Sequence, residues 1–220
     1  MISTDAADGS LPLSEQAYLQ IRDQIITLGL PPGSVIEEAR LRQELGLGRT
    51  PIREALKRLA HENLVAVIPN RGTFVAGVTI TDLAAITEIR VELEGFAFRL
   101  AAERATPAER SAFRSLIAEL DGIQHDGEGL GSEGLMQVDL RLHEAVYHST
   151  HNRFLEDALE RYFRLSLRLW HLVLDRVHME EPVQEHREIL EAILAGDGDR
   201  AESAIQRHVV SFERAVRKVL

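Results

Sequence analysis

Four side chains in the second half of the chain have the types and spacing of a metal ligand set: Asp139, His143, His186 and His208. Asp139 and His143 are four residues apart, so on a helix they point the same way. His186 and His208 have their midpoint at residue 197, inside the turn signal Gly196-Asp197-Gly198-Asp199. In an antiparallel helical hairpin, residues equidistant from the turn stand at one height. Eleven residues at ~1.5 Å rise put both histidines roughly 16 Å from the bend, side by side. If the helix bearing Asp139 and His143 packs on that hairpin, one carboxylate and three imidazoles converge. Such an N/O set suits a divalent ion, with Zn, Ni or Mn as the candidates. Spacing alone leaves ordinary structural roles open for these histidines. The other six, His61, His125, His148, His151, His171 and His178, are read as surface or packing residues.

A second group carries a different chemistry. Arg49 and Arg53 lie four apart at the start of a helical pattern whose inward side is Ile52, Ala55, Leu56 and Leu59. Arginine offers a rigid fork that pairs with guanine O6/N7 or with phosphate, and a good base contact contributes ~1–3 kcal/mol. Thr50, with free N–H groups at the helix start, suits a phosphate. Arg71 and Gly72 form the tip of a hairpin signal and can approach a minor groove or a backbone closely. These are the parts of a nucleic-acid reading face.

Charge is divided in keeping with that. The net charge of −10 over 220 residues is unusual for a DNA binder. Residues 1–78, however, hold 8 Lys/Arg against 9 Asp/Glu, and residues 79–220 hold 17 against 26. Within 40–58 six basic residues (Arg40, Arg42, Arg49, Arg53, Lys57, Arg58) face only Glu44 and Glu54. Local charge governs phosphate contact, and an acidic body discourages sticking elsewhere on a duplex. With 45% hydrophobic and 27% charged residues the composition is that of a soluble globular protein. Absence of cysteine excludes disulfides and thiolate ligation and fits a cytoplasmic setting. MISTDAADGS lacks the basic start and apolar core of a signal peptide, and no apolar run reaches the ~20 residues of a membrane span.

The elements that position these groups are mainly helical. Leu13, Ala17, Ile21, Ile25 and Leu28 mark a helix over 13–28, ended by Gly29 and Pro31-Pro32-Gly33. A short helix over 37–45 ends at Gly46, and the next is expected to start at Thr50-Pro51, with Thr50 as N-cap. Leu64–Pro69 and Thr73–Gly77 read as strands around Asn70-Arg71-Gly72. That order is a winged helix-turn-helix. From Thr81 onward the spacing predicts helices near 81–104, 107–123, 134–150, 153–178, 182–195 and 199–218, with 125–134 as a surface loop. The expected domains are 1–78, a winged helix-turn-helix, and 79–220, an all-α bundle.

Residues 31–75, PPGSVIEEARLRQELGLGRTPIREALKRLAHENLVAVIPNRGTFV, resemble the N-terminal winged helix of the GntR family of bacterial transcription regulators. The resemblance implies that Arg49, Thr50, Arg53 and Gly72 are DNA-contacting positions. Two departures stand out: Gly48 replaces a usual Ser/Thr, and Ala39 sits where some members have a contacting Arg. Residues 82–218 resemble the all-helical ligand domain of the FadR-type branch, abbreviated FCD. Its metal-binding members carry Asp-x3-His, a His about forty residues on, and a last His near the C-terminus, matched here by Asp139, His143, His186 and His208. Their presence argues against an acyl-CoA ligand. Arg90 matches an arginine that lines the effector pocket in similar proteins; its alternative is an i, i+4 salt bridge with Glu94 on an exposed face.

The resemblance thus implies a ligand-responsive regulator that binds a palindromic double-stranded DNA operator as a homodimer. Its effector would be a small organic acid, held by the metal and Arg90, and no membrane is involved. The rival reading is a metal-dependent enzyme fused to a DNA-binding head, because three His and a carboxylate can activate water. A third is a constitutive DNA binder with a structural metal.

Overall fold

The computed structural model describes residues 11–125, 131–173 and 180–219. Contacts divide the chain into two compact units, residues 1–79 with 167–172, and residues 80–166 with 173–220.

In the first unit, α1 (Leu13–Ile26), α2 (Glu38–Leu45) and α3 (Arg49–His61) precede a hairpin of β1 (Val65–Ile68) and β2 (Gly72–Val75). Helix α1 packs on α3, and the shared core is Ala17, Tyr18, Ile21, Ile25, Ile52, Ala55, Leu56 and Leu59, all buried. The turn after α2 needs a left-handed residue, and Gly46 supplies it at φ 65° without a Cβ penalty. Helix α3 starts at Arg49, two residues earlier than the Thr-Pro signal suggests, and its N-cap is Gly48 with no side-chain cap bond. Thr50 therefore does not cap. It and Pro51 occupy the first turn, where N–H groups have no intrahelical partner and proline loses nothing. At the other end Asn63 (φ 62°) closes α3: Asn63 N–H donates to Ala60 O at 3.2 Å and Leu64 N–H to Leu59 O at 3.0 Å, a Schellman pair.

The wing is antiparallel, with Val65 opposite Val75 and Ile68 opposite Gly72. Its turn is closed by Arg71 N–H to Ile68 O at 3.0 Å. Pro69 and left-handed Asn70 (φ 60°) between them are the sequence pattern of a type II turn. One feature is absent from the alternation of the two strands: Val35 forms a bridge with Phe74, so the segment after Gly33 lies along the outer side of β2.

After the hairpin come α4 (Ile80–Arg104), α5 (Pro107–His125), α6 (Gly131–Ser149), α7 (Arg153–Val173), α8 (Glu180–Ala195) and α9 (Gly198–Arg217), all in the second unit except residues 167–172 of α7. Of the expected loop over 125–134, His125 ends α5 and Gly131–Gly134 belong to α6; residues 126–130 lie outside the described ones, as does His178. Helices α4 and α9 run antiparallel: Arg99 meets Asp199 and Glu202, Gly95 meets Gln206, and Arg90 faces Phe212. A Cβ on Gly95 would come within 2.8 Å of Gln206, so glycine permits the close approach.

The α8–α9 hairpin is set by Gly196 (φ 73°). Gly196 N–H donates to Ile193 O and Asp197 N–H to Ala192 O, again a Schellman pair. The Asp197 side chain then accepts from Arg200 N–H at 3.1 Å and caps α9. No helix among the described residues is long and apolar enough to cross a membrane.

Candidate metal centre and nucleic-acid interface

The hairpin brings His186 and His208 together as their equal distance from the turn requires: their ring centroids are 4.6 Å apart. Helix α6 adds Asp139, whose Oδ1 lies 2.6 Å from His186 Nε2 and 3.6 Å from His208 Nε2. One ligand atom from each of Asp139, His186 and His208 lies within 4.8 Å of the other two. His143 stands beside this trio rather than in it. Its Nδ1 is 3.0 Å from the Asp139 backbone carbonyl and 3.2 Å from Oδ1. Its Nε2 faces Glu94 Oε2 at 3.4 Å, and its ring stacks on Phe163 at 4.4 Å.

The residues fit a divalent cation. Both hairpin histidines are buried, and His186 Nδ1 has no hydrogen-bond partner among the described residues. Burial would raise the Asp139 carboxyl, yet His143, His186 and His208 around it hold it well below its ordinary value. Burial pushes His186 down, which favours the neutral imidazole that a metal needs. His143 goes the other way: burial lowers it, but Asp139 and Glu94 outweigh burial and raise it to about 9.

Arg90 and Glu94 form the i, i+4 pair that the sequence allows, but not on an exposed face. Arg90 is 4% exposed and Glu94 0%. Arg90 donates from Nε to Glu94 Oε1 at 2.5 Å and from Nη2 to Oε2 at 3.3 Å, and Tyr147 donates its hydroxyl to Oε1 at 3.0 Å. Burial alone would raise the Glu94 carboxyl; Arg90 and His143 override it and hold it at about 2. The signal for burial was in the chain. Arg90 and Glu94 are in phase with buried Leu83, Ile86, Ala97 and Ala101 at steps of three and four.

In the first unit Arg49 and Thr50 are exposed at the start of α3, and Arg53 is exposed one turn on. Arg53 Nε lies 3.6 Å from Glu38 Oε1 across the turn. Arg71 and Gly72 are exposed at the wing tip. Of the two neighbours able to compensate for Ala39, Arg40 is paired with Glu44 at 2.6 Å, and Arg42 is exposed. Arg58, counted in the basic cluster, belongs to the helix packing: its guanidinium sits 3.5 Å over the Tyr18 ring and pairs with Glu15 at 2.8 Å.

Residues 13–75 match the family model described as bacterial regulatory proteins, gntR family, and residues 85–211 match that of the FCD domain. The chain is a GntR-family transcription regulator with an FCD domain. This GntR chain is 31% identical over 201 residues to an uncharacterized HTH-type transcriptional regulator in an unstable DNA locus of Streptomyces ambofaciens, covering 87% of this chain and 80% of that one. It is 29% identical to the galactonate operon transcriptional repressor of Escherichia coli strain K12, across 96% and 99% of the two chains. Among solved structures, E. coli McbR/YncC superposes with a TM-score of 0.81 at 25% identity, over 94% of this chain and 98% of that one. These relatives are regulators, and the enzyme alternative gives way to regulation of transcription.

Sequence reading of the GntR chain missed two carboxylates at the centre. Glu94 was seen only as a partner for Arg90, although its carboxylate also engages Tyr147 and faces His143. Glu185 was not singled out, although it accepts from His208 Nδ1 at 2.9 Å. Its only signal was its place directly before His186.

Proposed function

We propose that this regulator is a homodimeric repressor of the cytoplasm that binds a palindromic operator through Arg49, Thr50, Arg53, Arg71 and Gly72. In this reading a divalent ion held by Asp139, His186 and His208, with His143 as fourth ligand, forms the floor of an effector site for a small carboxylate. The observation that carries it is the trio of half-buried Asp139 and buried His186 and His208, with ligand atoms within 4.8 Å of one another. Buried polar groups of like function are brought together at a desolvation cost, which a cation offsets. The two-fold dimer is supported by family membership, since two winged helices on a symmetric body match a palindrome. Repression is supported by the printed role of the galactonate operon repressor.

The ion supplies Lewis-acid positions for carboxylate oxygen. Arg90 is already engaged by Glu94 through Nε and Nη2, so a carboxylate effector would meet a guanidinium whose charge is partly neutralised. His143 lies between the Asp139 and Glu94 carboxylates and would serve as the fourth ligand when an ion is bound. Effector binding then favours one arrangement of the bundle, a coupling of about 1–3 kcal/mol on DNA affinity.

The test is an operator titration with metal-loaded protein, the operator being selected from random duplexes, across a panel of small mono- and hydroxycarboxylates. A panel member should shift operator affinity about five- to 150-fold, and only with metal bound. Operator affinity that ignores every acid, or is the same with and without metal, defeats the sensor reading and leaves a structural ion.

A further inference from the structure

A histidine ligates through the ring nitrogen that carries a lone pair, so whatever holds the proton on the other nitrogen decides whether it can ligate at all. For His143 that task falls to the backbone. Its Nδ1 is 3.0 Å from the Asp139 carbonyl, an acceptor one turn back on α6, so Nδ1 keeps the proton. His208 relies on a side chain: its Nδ1–H donates to Glu185 Oε2 at 2.9 Å. Ser211, three residues after His208 on α9, lines the same groove as Glu185. With Nδ1 occupied, His208 Nε2 is the atom turned to Asp139 Oδ1 at 3.6 Å. Glu185 and His186 are consecutive on α8, so one turn of α8 provides both a ligand and the group that orients the ligand opposite.

We infer that Glu185 is a positioning residue: it sets the tautomer and ring orientation of His208 so that Nε2 is the ligating atom. The inference rests on the metal reading proposed above. A carboxylate behind a ligating imidazole is the arrangement by which outer groups tune metal sites, and losing one weakens metal binding ~10–100-fold. His186 has no such device among the described residues, its Nδ1 being unpartnered; the centre therefore leans on Glu185 for one of its two hairpin ligands.

Truncation of Glu185 is expected to leave the fold intact, because the residue is part-exposed. Its side chain is 28% exposed and lies in the wall of a groove of about 560 Å³, shared with Gln206, Arg207 and Ser211. Water can enter there when the carboxylate is removed.

The experiment uses the full chain as wild type, Glu185→Ala, Glu185→Gln and, as control, Glu188→Ala, whose carboxylate pairs with Arg207 at the surface. Zn²⁺ affinity is read by chelator competition, the visible spectrum by Co²⁺ loading, and folding by thermal melts of the metal-free proteins. Glu185→Ala should melt as a folded protein, bind Zn²⁺ ~10–100-fold more weakly and show an altered Co²⁺ spectrum. Glu185→Gln keeps a carbonyl oxygen for the Nδ1–H and should recover the wild-type spectrum and most of the affinity. Glu188→Ala should match wild type. Equal affinity and spectra in Glu185→Ala and wild type would overturn the inference, as would a Glu185→Gln protein as impaired as Glu185→Ala. A wild type that binds neither ion removes the metal reading itself, and that result is seen before any variant is compared.

Discussion

Arg90 and Glu94 sit one helical turn apart on α4 and form a two-point ion pair in the core of the helical unit, 4% and 0% exposed. Tyr147 donates to the same carboxylate, and the guanidinium lies 5.2 Å from the centre of the Phe163 ring. Breaking such a pair leaves an uncompensated buried charge, which costs about 3–5 kcal/mol, whereas replacing both partners by apolar groups is far milder. Glu94→Ala should therefore lower unfolding free energy by about 3–5 kcal/mol in urea titrations, and Arg90→Met with Glu94→Leu by clearly less. Equal losses in the two proteins would show that the cost is packing rather than charge.

Arg49 and Arg53 are exposed, so their removal has little to do with stability. Arg49→Ala and Arg53→Ala should each weaken operator binding while the melting curve stays put. A lost base contact costs ~1–3 kcal/mol, and each lost phosphate contact flattens the salt dependence by about one unit of slope. Arg53 also faces Glu38 at 3.6 Å on the surface, a contact of about 0–1 kcal/mol at most. Unchanged gel-shift titrations for both variants at matched salt would refute this reading face.

His186 and His208 face each other across the α8–α9 hairpin at 4.6 Å between ring centres. His186→Ala with His208→Ala should abolish bound divalent metal by elemental analysis. In the wild type, free metal at 100 times its Kd should add about 2.7 kcal/mol of stability, and the double variant should gain nothing. Full metal occupancy in the double variant would eliminate these ligands.

His143 makes the metal-free protein sensitive to alkali. Burial lowers its pKa, but Asp139 and Glu94 prevail and raise it from 6.5 to about 9. A group whose folded value is raised stabilises fully below its unfolded value and loses that contribution as pH rises through the folded one. The melting temperature of chelator-treated protein should thus fall between about pH 6.5 and 9, and His143→Gln should flatten that stretch. A fall of the same size in His143→Gln would assign the effect to another group.

The local elements were legible because their causes are local. Gly46 and Gly196 each take a positive φ where the chain must reverse, and Ile52, Ala55, Leu56 and Leu59 repeat with helical spacing and are buried. The hairpin arithmetic placed His186 beside His208 because equal distance from a turn is a matter of counting. Packing between helices is not local, and there the tertiary structure decided. It turned His143 Nε2 to Glu94, covered the face of α4 that carries the Arg90–Glu94 pair, and brought Glu185 onto His208. Side-chain spacing along a helix specifies a face; which neighbour covers that face, and which nitrogen of an imidazole it meets, depends on contacts between residues tens of positions apart.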